Sequence, residues 1–307
     1  MLRIRKILFP TDFSEASRAA LDHALLWTEL HDAELILLHV LSLRTADPFN
    51  PEHRFPSPEE FEDRLHALAD SEMALFFAPS SDKPLRIRQL VRRAPEVERG
   101  ILEFAESEDV DLVVLGTHGR RGAAHLLMGS VAAEVLRRSE RAVLVVSARG
   151  ERPVGRVRRI LAPTDFSSPS RHAIAHARAL AAATGSTLEI LHVLPHLEVP
   201  LPMNPGSFGA AGIVAELEPA ARKALEDMAA EAGPRVAIET EVWHGPAAAS
   251  ILNRAAETDA DLIVLATHGN TGLDRLLLGS VTEKVARLAR CPVLVLPADG
   301  WSLLPSD

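Results

Sequence analysis

One cysteine, Cys291, is present in 307 residues, so no internal disulfide can form and a reducing cytoplasm is the expected setting. Positive charge is also short. Lys and Arg number 33 against 42 Asp and Glu, and the net charge of -9 argues against nucleic acid as a main partner. Such binding rests on basic surfaces that release counterions. Long hydrophobic runs are missing too. Stretches such as LILLHVL, from Leu35, fall well short of the roughly 20 residues a bilayer span needs, so no membrane partner is expected. No signal-peptide pattern is visible, because the chain opens directly on the strand-like RIRKILFP.

What is there fits a globular protein, with 47% hydrophobic and 24% charged residues and enough length for two cores. The chain is written twice. KILFPTDFS from Lys6 returns as RILAPTDFS from Arg159, and LILLHV from Leu35 as LEILHV from Leu188. DLVVLGTHG from Asp111 returns as DLIVLATHG from Asp261, and AVLVV from Ala142 as PVLVL from Pro292. A period this long indicates domain duplication and not a solenoid of short repeats. The join falls in SARGERPVGRVRR, giving expected domains of 1–150 and 151–307.

Within the first half, short β-branched runs predict strands near 4–10, 34–41, 86–92, 111–116 and 142–147. Amphipathic segments predict helices near 14–31, 58–77, 95–107 and 130–139, the second opened by a cap of Ser57, Pro58 and Glu60. Strands such as DLVVL are apolar at consecutive positions, as when helices cover both faces of a parallel sheet. Each half is therefore expected to be a doubly wound, Rossmann-like α/β domain with a five-stranded parallel sheet. The short apolar final strands, AVLVV and PVLVL, would be exposed sheet edges, so the halves are expected to pack through them as an internal pseudo-dimer.

Ligands of such sheets sit beyond the carboxyl ends of the strands, where strand order reverses. Three repeated elements should meet there. PTDFS brings Asp12 or Asp165, suited to a ribose hydroxyl or an adenine amino group. The LHV strand end brings Val40 or Val193. The loop after the fourth strand brings Gly119, Gly129 and Ser130, opening the helix SVAAEVLRR, whose free N–H groups and positive dipole end favour an anion. Phosphates at one end and a sugar or base at the other describe a nucleotide. Each element by itself is equally ordinary turn and cap chemistry; their repetition as a set is what points to a site.

PTDFS, the LHV strand end and the G-x2-G-x9-G-S loop together resemble the universal stress protein family in its tandem form. The resemblance spans nearly the whole chain and implies the adenine nucleotide alpha-hydrolase-like variety of this fold. By it, Asp12 and Val40 would contact adenosine, and Gly116, Gly119, Gly129 and Ser130 would hold ribose and phosphates. The second-half counterparts are Asp165, Val193, Gly269, Gly279 and Ser280. The implied ligand is ATP or another adenine nucleotide, with magnesium an optional companion. The implied work is regulation or interaction in a stress response, with a protein partner the sequence does not name and a further homodimer left open. Two departures stand out. The first loop glycine is Ala266 in the second half, and the Gly245-Pro246 turn is Ala94-Pro95 in the first.

Other chemistry finds less support. Histidines recur in pairs (His23 and His176, His39 and His192, His118 and His268) but without the spacing of a metal cluster, and are expected to satisfy local hydrogen bonds. Fast phosphoryl transfer wants a Walker lysine and an identifiable base, and the loop offers only Arg120 and Arg121. Slow ATP hydrolysis and a scaffold without nucleotide are the alternatives. Two Pro-rich segments, from Arg44 and from Pro195, follow the second strand of each half and read as surface loops or lids.

Overall fold

The computed structural model describes residues 2–42, 58–77, 85–117, 128–147, 155–195, 210–231, 236–269, 278–298 and 301–305. The chain divides into two compact units, residues 3–155 and residues 156–307 with Met1–Leu2.

The first unit alternates β1 (Lys6–Pro10), α1 (Glu15–His31), β2 (Glu34–Ser42), α2 (Pro58–Phe76), β3 (Arg86–Ala94), α3 (Val97–Ser107), β4 (Leu112–Gly116), α4 (Ser130–Arg138) and β5 (Ala142–Val146). Its strands lie in the order β3-β2-β1-β4-β5, each parallel to its neighbours. The second unit repeats this with β6 (Arg159–Thr164), α5 (Ser168–Thr184), β7 (Thr187–Leu194), α6 (Ala210–Ala230), β8 (Ile238–His244), α7 (Ala247–Glu257), β9 (Leu262–Ala266), α8 (Ser280–Leu288) and β10 (Val293–Leu296). Its order is β8-β7-β6-β9-β10. The doubly wound reading is thus met in each unit, with the reversal of order between β1 and β4 and between β6 and β9.

The inner strands are buried on consecutive residues, Leu112–Leu115 and Leu262–Leu265 among them, because helices cover both faces. At the amino-terminal ends of the strands, Asp111 accepts from the Arg5 and Lys6 amides (2.7 and 3.0 Å), and Asp261 from those of Arg158 and Arg159 (2.8 and 3.0 Å). These two aspartates are fold clamps at the end of the sheet away from the candidate site. Pro58 opens α2 as expected, whereas Ser57 and both Pro-rich segments, apart from Pro58 and Pro195 at their ends, lie outside the described residues.

Two features of the second unit were not legible in its pattern. Glu189, at the strand position Ile36 fills in the first half, is fully buried between Arg159 (3.3 Å) and Arg254 (2.5 Å). Buried charge survives only when paired in this way. Residues 301–305 form a short strap on α5. Leu303 is buried, and its amide donates to His176 Nε2 (3.0 Å), while His176 Nδ1 donates to the His172 carbonyl (2.9 Å). His172 Nε2 donates in turn to the Trp301 carbonyl (3.0 Å).

Candidate functional site

The aspartate turns come first, since their geometry is the same twice. Where β1 and β6 end, Phe13 and Phe166 both adopt φ 63°, left-handed backbone that a bulky L-residue rarely takes. The neighbouring polar side chains explain how the turn holds. Thr11 Oγ1 accepts from the Phe13 amide (3.0 Å) and Thr164 Oγ1 from that of Phe166 (2.9 Å). Asp12 Oδ1 accepts from the Ser14 amide (3.1 Å) and Asp165 Oδ1 from that of Ser167 (3.0 Å). Ser14 and Ser167 then cap α1 and α5, accepting from Ser17 and Ser170 amides at 3.2 Å each. One carboxylate oxygen of each aspartate therefore builds the turn, which is the ordinary cap chemistry weighed above.

Val40 and Val193 contribute differently from what their side chains suggest. The Val40 side chain is buried against Gly100 of α3, where a Cβ on the glycine would lie 3.0 Å from Val40 Cγ1. Its backbone is the interesting part. Glu34 donates to Arg5 and Leu38 accepts from Thr11, so even-numbered residues of β2 turn their backbone groups toward β1. That pairing ends at Pro10↔Leu38, while β2 runs on beside β3 through Ser42. The Val40 amide and carbonyl thus face the crevice past the end of β1. In the second unit the pairing runs further, through Thr164↔His192.

The glycine loops close the other side. Gly129 caps α4 and Gly279 caps α8, neither with a side-chain cap bond. Each glycine amide is already engaged, donating to the Thr117 carbonyl (2.7 Å) or the Thr267 carbonyl (2.8 Å). The amides left for an anion are therefore those of the first helical turn, beginning at Ser130 and Ser280, both exposed. The two helix ends differ in charge: α8 carries Glu283 in its first turn, whereas α4 has no acidic residue there. Direct convergence is visible in the second unit. A Cβ at Gly269 would collide with Asp165 Oδ2 and lie 3.2 Å from its Cγ, so the loop backbone rests on the aspartate. Gly119, Arg120 and Arg121 lie outside the described residues.

The structure shows what each of these glycines does in the half that keeps it. A Cβ at Gly116 would sit 2.9 Å from the Ala16 carbonyl oxygen, so this glycine admits the first turn of α1 against β4. The second half has Pro169 where the first has Ala16, and Ala266 is buried there without a glycine. Gly245 sits at φ 138°, a region closed to alanine. Ala94 instead extends β3, paired with Ser42, whereas β8 stops at His244.

His39 and His192 are the residues that sequence reasoning undervalued. His39 Nδ1 lies 2.8 Å from the Thr11 carbonyl and its ring stacks on Phe13 at 4.5 Å. His192 repeats this with the Thr164 carbonyl (2.8 Å) and Phe166 (4.4 Å). The repeated LHV was the available signal. Among the described residues, no group of three or more His, Cys, Asp or Glu is placed to hold a metal ion.

The family model for the universal stress protein family matches residues 3–147 and again 156–297. The chain belongs to that family. A universal stress protein of Mycolicibacterium smegmatis is 27% identical over 294 residues, covering 94% of this chain and 96% of its own length. One from Methanocaldococcus jannaschii is 32% identical over 156 residues, 47% of this chain and 96% of that one. Among solved structures, a universal stress protein from Archaeoglobus fulgidus aligns with a TM-score of 0.63 at 20% identity, covering 96% of this chain and 98% of that one, a likeness of fold. As a tandem universal stress protein, the chain carries the family's domain twice. No described helix is long and apolar enough to cross a membrane.

Proposed function

We propose that each half binds an adenine nucleotide at the switch point of its sheet, and that the protein acts in a stress response by ligand-dependent regulation. The observation that carries this reading is convergence: in the second unit the loop glycine Gly269 rests on Asp165, beside a helix end with no side-chain cap. In this reading the carboxylate serves the sugar or base and the amides of the first helical turn serve the phosphates. In the first half the Val40 backbone adds a donor and an acceptor suited to an adenine edge. The resemblance of the loops to the family's nucleotide pattern supports the same assignment. A reducing cytoplasm is the proposed setting, in which the buried Cys291 thiol persists.

The test is direct. Mass spectrometry of small molecules released from purified protein, followed by calorimetric titration with ATP and AMP, should find an adenine nucleotide and saturable binding. Gly129→Val should weaken first-half binding while the melting curve is kept. Flat titrations into the millimolar range, with no ligand released, would replace this reading by that of a scaffold without nucleotide.

A further inference from the structure

The left-handed Phe13 and Phe166 are strained, and such strain persists only where surrounding groups over-determine it. The turn's own side chains fix its amides, but the carbonyl that opens it, on Thr11 or Thr164, is held from another strand. That holder is an imidazole in both halves, His39 at 2.8 Å and His192 at 2.8 Å. A carbonyl only accepts, so each ring carries its proton on Nδ1, and that donor survives when the ring becomes an imidazolium. The ring faces lie against Phe13 and Phe166, at centroid separations of 4.5 and 4.4 Å. One side chain thus grips the turn at its entry and at its strained residue.

The two halves end the strand ladder at different places. Following the alternation along β2, the Thr11 carbonyl is the group that would next accept the Val40 amide. His39 donates to that carbonyl, and the pairing of β1 with β2 ends at Pro10↔Leu38; His192 donates to the Thr164 carbonyl in the same way, and there the pairing runs on to Thr164↔His192. The same imidazole bond is present in both halves, so it fixes the entry of the turn and with it where Asp12 and Asp165 stand, whichever residue pair ends the ladder. Among the described residues the halves differ in one further ring contact: Phe13 also meets Phe76 edge-on at 5.7 Å.

We propose that His39 and His192 are positioning residues of the two ligand sites, holding Asp12 and Asp165 in place through the Thr carbonyl and the Phe ring. The proposal rests on the nucleotide reading above. It assigns these histidines no contact with the ligand.

The experiment compares wild type, His39→Leu/His192→Leu and His39→Asn/His192→Asn in the full chain, with AMP as probe. Asn Nδ2 stands where His Nδ1 stands and can donate to the same carbonyl, but it has no ring to stack. The Leu variant should exchange the Phe13 and Phe166 amides about fivefold faster and bind AMP about fivefold more weakly, the scale of one lost hydrogen bond. The Asn variant should recover most of both effects, and amides of the inner strands should not change. Rescue by Asn is the readout that simple loss of packing would not give. Wild-type turn exchange in the Leu variant, or a loosened turn with unaltered AMP affinity, overturns the inference. A wild type that binds no AMP overturns the nucleotide reading itself, which separates the two failures. Should the double Leu variant not fold, His39→Leu and His192→Leu singly are read the same way. The second should be the more damaging, because Phe13 keeps its edge contact with Phe76.

Discussion

Lowering the pH from 7.5 to 5.0 should loosen the carboxy-terminal strap through one residue, His176. Burial pushes its pKa from the usual 6.5 down to about 4; its Nδ1 bond to the His172 carbonyl opposes the shift, and the His172 ring beside it adds to it. Among the described residues His172 is the titratable group acting on it, and the strap facing it from the other side contributes the Leu303 amide and Ser302 hydroxyl. In the folded chain Nε2 accepts from Leu303, so a proton there would set donor against donor. The sign follows from which state binds more protons. The unfolded chain takes its proton near 6.5 and the folded one only near 4, so stability is intact above 6.5 and lost as pH falls through that window. At about 1.4 kcal/mol per pH unit the whole effect is about 3 kcal/mol, and by pH 5 it has reached about 2 kcal/mol. Peeling of the strap without global unfolding would cap the loss at the docking energy of Leu303 and its bonds, itself about 2 kcal/mol. The assay is urea unfolding at both pH values for wild type and His176→Gln, with Trp301 fluorescence reporting the strap. Wild type should lose about 2 kcal/mol more than the variant between the two pH values. Equal losses would refute the reasoning, because carboxylate titration elsewhere is common to both proteins.

Four further outcomes are expected. Gly269→Ala should weaken second-half AMP binding about tenfold or more with a stability loss of about 1–3 kcal/mol, since the new Cβ displaces Asp165; calorimetry beside a melting curve checks it. Glu189→Ala should destabilise by about 1–3 kcal/mol in urea, because it empties a fully buried position and takes one partner from Arg159 and Arg254, which keep Glu239, Glu241 and Glu257; Glu189→Ile, the residue type the first half has there, should recover part of the loss. The first half should prefer ATP over AMP more strongly than the second. Its loop carries Arg120 and Arg121 where the other has Asn270 and Thr271, and α8 bears Glu283 in its first turn; titrations with Gly129→Val or Gly279→Val disabling one half test this. Gly245→Ala should cost about 1–2 kcal/mol on thermal unfolding, whereas Ala94→Gly should cost less than about 1 kcal/mol, because only the former position has left-handed φ.

The repeat, the α/β class and the strand assignments were legible in the chain because consecutive apolar residues, Leu112–Leu115 or Leu262–Leu265, fit only a strand covered on both faces. The turns at Asp12 and Asp165 and the helix caps at Gly129 and Gly279 were legible because turn and cap chemistry is local in sequence. The missing glycine at Ala266 was visible as a fact, but its cause was not. Gly116 makes room for the Ala16 carbonyl a hundred residues away, and only the packed fold brings β4 against α1. The same limit hid Gly245, whose φ of 138° is a property of the folded turn. It hid the histidines as well. His39 reads as an unremarkable strand residue until β2 lies beside β1 and its Nδ1 meets the Thr11 carbonyl. Sequence sets short-range conformation, since propensity and capping act over a few residues. Which carbonyl an imidazole grips, and which atom occupies the space beside a glycine, are decided by groups distant in the chain that only tertiary packing makes neighbours.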